Sequence, residues 1–189
     1  FSPGQPLVLR IPGVGTPAQF KATGLNDVTD VGRSLTGSSR LVLADAKTGK
    51  RWPAWAELDV LAKKPGNRMV IIHPAKNLVP GRTYVVVLRF LKDKTPAGMW
   101  KSTTPGVRKA LKRAGVSRKS VYVAFDFTVA SDKSLTSRLL AIRNDAFKQL
   151  GDTNLADGKI QGAAPKYSIT SVQDFTEAEN PELLRTIKG

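Results

Sequence analysis

The chain has 189 residues, no cysteine, one histidine and a formal net charge of +15. That length can enclose a sizeable core without metals or disulfides, and the missing thiols exclude disulfides and thiolate metal sites while leaving the redox compartment open. No apolar run nears the roughly 18 to 20 residues that span a membrane, and Phe1 stands where a start Met would, so a processed or excised piece is expected, with any export signal ahead of it.

Strand signals fill the first half. Leu7 to Ile11 is an apolar run closed by Pro12-Gly13. Pro12 and Pro17 around Gly13-Val14-Gly15 predict a turn with no helix after it, so this Gly-x-Gly does not cradle a phosphate. Leu41 to Leu43 and the run from Trp52 flank a hairpin connection over Asp45 to Lys50. From Trp52 to Val60, alternation places Trp52, Ala54, Ala56, Leu58 and Val60 on one face and Trp55, Glu57 and Asp59 on the other. Pro53 has no N–H to donate, so this strand belongs at an edge or starts late.

Met69 to Pro74 and Tyr84 to Leu91 predict two buried strands joined by Leu78-Val79-Pro80-Gly81-Arg82-Thr83-Tyr84. Pro80 and Gly81 supply a turn, and Tyr84 supplies a ring with a polar tip. In an immunoglobulin-like sandwich such a Tyr returns its hydroxyl to backbone a few residues upstream and closes the corner between two sheets. Val121 to Val129 alternates cleanly, with Tyr122, Ala124, Asp126 and Thr128 opposed to Val121, Val123, Phe125, Phe127 and Val129.

Helices are expected over Val107 to Ala114, after Thr104-Pro105 and before Gly115, and from Ser131 to Leu150, before Gly151. The second carries Leu135, Leu139, Ile142, Ala146, Phe147 and Leu150 at helical spacing, a packing face. Tyr167 to Phe175 alternates like a strand, and Asn180-Pro181-Glu182 predicts a cap for a terminal helix through Ile187. The predicted architecture is therefore mainly β: an immunoglobulin-like β-sandwich over 1–130 with a short basic helical insertion at about 94–120. A long helix and a strand-helix element over 131–189 pack on the sandwich or on a following domain.

Catalytic patterns are scarce. A serine hydrolase of the α/β type needs a Gly-x-Ser-x-Gly elbow and a His base; the chain has no such elbow, and its sole His73 sits at a strand end beside Pro74. A single His also speaks against a His-based metal site. Glu57 and Asp59 lie roughly 7 Å apart by strand rise and could share a cation or divide acid and base roles, or simply meet basic neighbours. Asp126 between Phe125 and Phe127 is expected to pair with a Lys or Arg. There is no Walker loop, and no cofactor or metal is implied.

Charge is concentrated instead. Lys92, Lys94, Lys101, Arg108, Lys109, Lys112, Arg113, Arg118 and Lys119 stand against Asp93 alone, nine basic residues to one acidic and over half of the net excess. These nine are the candidate anion-binding residues; a solvated helix face is the other reading. Trp100 is the lone aromatic among them, too few for a base-stacking platform.

Leu78-x-Pro80-Gly81-x-x-Tyr84, then Lys92-Asp93 and Phe125-Asp126-Phe127-Thr128, resembles bacterial Ig-like domains of multidomain surface and secreted proteins. Added to these are Phe1-Ser2-Pro3-Gly4, Trp52-Pro53-x-Trp55-Ala56-Glu57-Leu58-Asp59, Ala130-Ser131, Leu135-x-x-Arg138 and Arg143-x-Asp145-Ala146-Phe147. Together they resemble the N-terminal region of large secreted actinobacterial-type proteins whose later half is similar to α/β-hydrolases. The loop from Lys94 to Ser120 departs from that pattern, being shorter and more basic. The resemblance implies an extracellular or cell-surface, non-catalytic accessory module with Pro80, Gly81 and Tyr84 as structural residues and a catalytic region following Gly189 as partner. The alternative is a stand-alone binder of anionic polymers, such as wall polymer, polysaccharide or nucleic acid, through 92–119.

Overall fold

A computed structural model describes residues 1–91, 105–159, 161–163 and 166–189. Its contacts divide the chain into two units, Phe1–Leu135 and Thr136–Gly189.

The first unit is built on two antiparallel sheets. One has the order β1-β5-β4, from β1 (Leu7–Leu9), β4 (Ala54–Leu58) and β5 (Val70–Pro74). The other has the order β3-β2-β6-β7, from β2 (Leu41–Asp45), β3 (Arg51–Trp52), β6 (Thr83–Arg89) and β7 (Val121–Thr128). Alternating side chains from both meet in one core that includes Leu7, Leu43, Trp52, Ala56, Ile72, Tyr84, Val86 and Phe127. Each Leu, Ile or Val removed from water there contributes about 1.5–3 kcal/mol.

The opposite face of the four-stranded sheet is also apolar. Its Val42, Ala44, Val85 and Val87 lie under Val107, Ala110 and Leu111 of α2 (Pro105–Arg113). β2 and β6 are therefore apolar at every position along their centres, because both of their faces are covered.

Several sequence expectations need correction. The run from Trp52 is two strands rather than one, because the chain leaves the four-stranded sheet after Trp52 and enters the three-stranded sheet at Ala54; the strand after Pro53 does start late and lie at an edge, as expected. The turn at Gly13-Val14-Gly15 is followed by a helix after all, α1 (Pro17–Thr23). Thr16 and Gln19 form a reciprocal capping box with Pro17 in the first turn, and that local bonding starts the helix. The alternation in β7 slips at its start: a bulge opposite Leu88 and Arg89 puts Tyr122 with the inter-sheet core and Val121 toward α2.

The second unit contains α3 (Asp132–Gln149), which begins in the first, and a hairpin of β8 (Ser171–Asp174) and β9 (Arg185–Lys188). The expected terminal helix is thus a strand. Asn180 does cap, its side-chain oxygen accepting from the Glu182 and Leu183 amides, but the chain makes only a turn. The Arg185 guanidinium then bonds the Asp174 carboxylate across the hairpin and the ladder runs to Lys188.

Candidate functional site

The corner residues come together as structural groups. Gly81 has a φ of 74°, a left-handed turn position that favours glycine, and its amide donates toward the carbonyls of Val129 and Ala130. Tyr84 is fully buried, its ring against Trp52 at 5.3 Å edge-on, and its hydroxyl accepts the Val79 N–H at 2.9 Å. The hydroxyl therefore satisfies an amide of the turn while the ring fills the core.

Of the nine candidate anion-binding residues, Lys92, Lys94 and Lys101 lie outside the described residues. Arg108, Lys109, Lys112, Arg113, Arg118 and Lys119 are exposed on α2 and the segment after it. The helix turns Val107, Ala110 and Leu111 inward, so its cations share the outward side. Arg113 also reaches back to the Ala46 carbonyl at 3.1 Å. Residues 1–135 hold 23 basic and 8 acidic side chains and residues 136–189 hold 7 of each, so the whole excess belongs to the first unit.

The register of β4 on β5 pairs Trp55 with His73, whose rings stack at 4.1 Å and 12°. Glu57 Oε1 lies 3.0 Å from His73 Nε2. No hydroxyl among the described residues bonds His73, so no nucleophile is poised there. Asp59 turns away and accepts the Leu61 amide, so Glu57 and Asp59 have separate partners. Among the described residues no cluster of His, Asp and Glu could hold a metal ion. Asp126 is exposed on β7 rather than held in a buried ion pair.

A carboxylate that sequence reading treated only as part of a turn proves to be a buried anchor. Asp45 is almost fully buried and accepts from the amides of Lys47 and Thr48 and from the Arg82 guanidinium at 2.8–3.0 Å. Burial alone would raise its pKa, yet the hydrogen bonds outweigh burial and hold it below the ordinary aspartate range. An Asp opening Asp-Ala-Lys-Thr-Gly is the available sequence signal, since Asp side chains fold back onto turn amides.

No family model matches this chain, and no curated protein or solved structure matches it. The surface cavity of ≈ 550 Å³ beside α1 has one charged side chain in its lining, Arg10. Its Gln19 oxygen is already engaged by the Gly15 and Thr16 amides. The second unit differs in kind. α3 has no buried residue, and Leu139, Ile142, Leu184 and Ile187 are 71%, 58%, 82% and 57% exposed.

Proposed function

We propose that the chain is a non-catalytic, immunoglobulin-like accessory module of an exported hydrolase-like protein, which positions or shields a catalytic region outside these 189 residues. The fold part of this reading draws support from strand order. β1-β5-β4 corresponds to strands B-E-D of such a sandwich and β3-β2-β6-β7 to C′-C-F-G, and the Tyr84 corner falls between E and F, where those sandwiches carry theirs. No helix among the described residues is long and apolar enough to cross a membrane.

The observation that carries the docking role is the exposed apolar set on α3 and the β8–β9 hairpin. Unpartnered Leu and Ile side chains on both elements are an interface composition rather than that of a finished surface. The catalytic region of the parent protein, prepared separately, is expected to bind the chain. Leu139→Asp together with Leu184→Asp should weaken that binding at least about tenfold, since each apolar side chain removed from water is worth about 1.5–3 kcal/mol. Calorimetric titration checks this. A native polypeptide whose reading frame holds no further region, or binding untouched by the double variant, would remove the proposal.

The one-sided cationic surface of α2 favours a second reading, in which the first unit binds an anionic polymer. Retention on heparin that falls steeply with salt and is lost in Lys109→Gln with Lys112→Gln would support it; elution at low salt would sink it.

A further inference from the structure

Another surface cavity, of ≈ 450 Å³, opens at one end of the four-stranded sheet and is lined by Asp45, Lys47, Thr48, Gly81, Arg82 and Thr83. That volume falls within the roughly 300–1,000 Å³ of small-ligand sites. β2 ends at Asp45 opposite Tyr84, where β6 has just begun, so the β2–β3 turn and the Pro80-Gly81 corner stand side by side. The Ala46 amide ties them by donating to the Thr83 carbonyl at 2.9 Å.

The lining is rich in uncommitted donors. Arg82 gives only its Nη1 to Asp45 Oδ2, at 3.0 Å, and its side chain is 53% exposed, so one bond fixes the guanidinium while its other N–H groups keep no partner among the described residues. The exposed Lys47 bonds Asp45 through its amide, and its ammonium is likewise uncommitted. Thr48 Oγ1 accepts the Lys50 amide at 3.2 Å, which leaves its proton to donate. The Thr83 and Thr128 hydroxyls, 2.9 Å apart, use one proton between them and keep the other. Asp45 offers no acceptor in return: it is 2% exposed, with Oδ1 taken by the Lys47 and Thr48 amides and Oδ2 by Arg82. Two cations against one carboxylate leave the lining one positive charge in excess.

We propose that this cavity binds a tetrahedral oxyanion, a phosphate or sulfate group, between Arg82 and Lys47. A guanidinium presents parallel N–H groups that match two oxygens of such a group, and the ammonium and the threonine hydroxyls serve the others. A carboxylate has two oxygens only, fewer than the donor groups around the space. None of the outward cations of α2 lines the cavity, so the site does not depend on that helix engaging a polymer.

The test is titration of the isotope-labelled full chain with inorganic phosphate, and in parallel with inorganic sulfate, against chloride at matched ionic strength and pH, read by nuclear magnetic resonance. The Arg82 Nε–H and the Thr48 amide are expected to shift saturably with the oxyanions and not with chloride. Lys47→Met should weaken the fitted affinity about fivefold or more, as the loss of a charge-assisted bond, while Lys109→Gln with Lys112→Gln should keep it within about twofold. Arg82→Lys keeps a cation beside Asp45 without the fork, and it should also weaken binding. Tighter binding of a heparin-derived disaccharide than of sulfate would mark the group as one carried on a polymer, and equal affinity would mark it as a free anion. Shifts that do not saturate, that match those in chloride, that persist unchanged in Lys47→Met, or that are lost with the two α2 lysines would overturn the site.

Discussion

Gly49→Ala is expected to destabilise the first unit by about 3 kcal/mol or more, lowering its unfolding midpoint by roughly 10 °C. Gly49 has a φ of 76°, and a Cβ built there would stand 2.1 Å from the carbonyl oxygen of Arg113. Left-handed backbone alone costs an L-residue about 1–2 kcal/mol. The remainder comes from the contact, because the obstructing atom is backbone at the end of α2 and cannot rotate aside. The β2–β3 turn and α2 must separate, and separation uncovers the apolar face formed by Val42, Ala44, Val85 and Val87. Circular dichroism on heating gives the midpoint, and hydrogen exchange should show α2 amides losing protection first. A midpoint within about 2 °C of the original would mean that the turn and the helix are not in close contact.

Asp45→Ala is expected to cost about 2–3 kcal/mol at pH 6 and clearly less near pH 3. Removing the carboxylate strips acceptors from the Lys47 and Thr48 amides and from Arg82, all packed around an almost fully buried side chain. The pH dependence follows from the direction of the shift. The folded-state pKa lies below the ordinary value of 3.8, so the unfolded chain takes up a proton more readily. The carboxylate's contribution is complete above the unfolded pKa and is lost as pH falls below about 4 through the folded value. Urea unfolding of both proteins at the two pH values measures the difference. A gap of equal size at pH 6 and pH 3 would show that the bonds do not depend on ionisation.

The sequence made the β-rich core legible where a residue's role is local or periodic. Pro80, Gly81 and Tyr84 announce their corner because a turn, a left-handed position and a ring with a polar tip must occur at those spacings. The faces of β4 and most of β7 follow from alternation. What escaped notice depends on partners distant along the chain or on bonds too brief to leave a period. α1 is seven residues long and has no repeating stripe, only its Thr16–Gln19 box. β9 exists because it pairs with β8, whereas Asn180-Pro181 signals a helix start that the following residues do not extend. Trp55 meets His73 through strand register, which no local pattern encodes.

The sheet order also decides which strand edges of the first unit are open. Three of the four edge strands in the first unit offer little to a foreign strand: β3 has two residues, β1 has three and β4 starts just after Pro53. β7 has eight residues and, among the described residues, a strand neighbour on one side only. Its exposed Asp126 stands midway, between Phe125 and Phe127, so an incoming strand would have to accept a charge within an apolar stretch. A carboxylate that looked out of place between two aromatics thereby sets a charge midway along the longest open edge among the described residues, a placement that disfavours the addition of another strand.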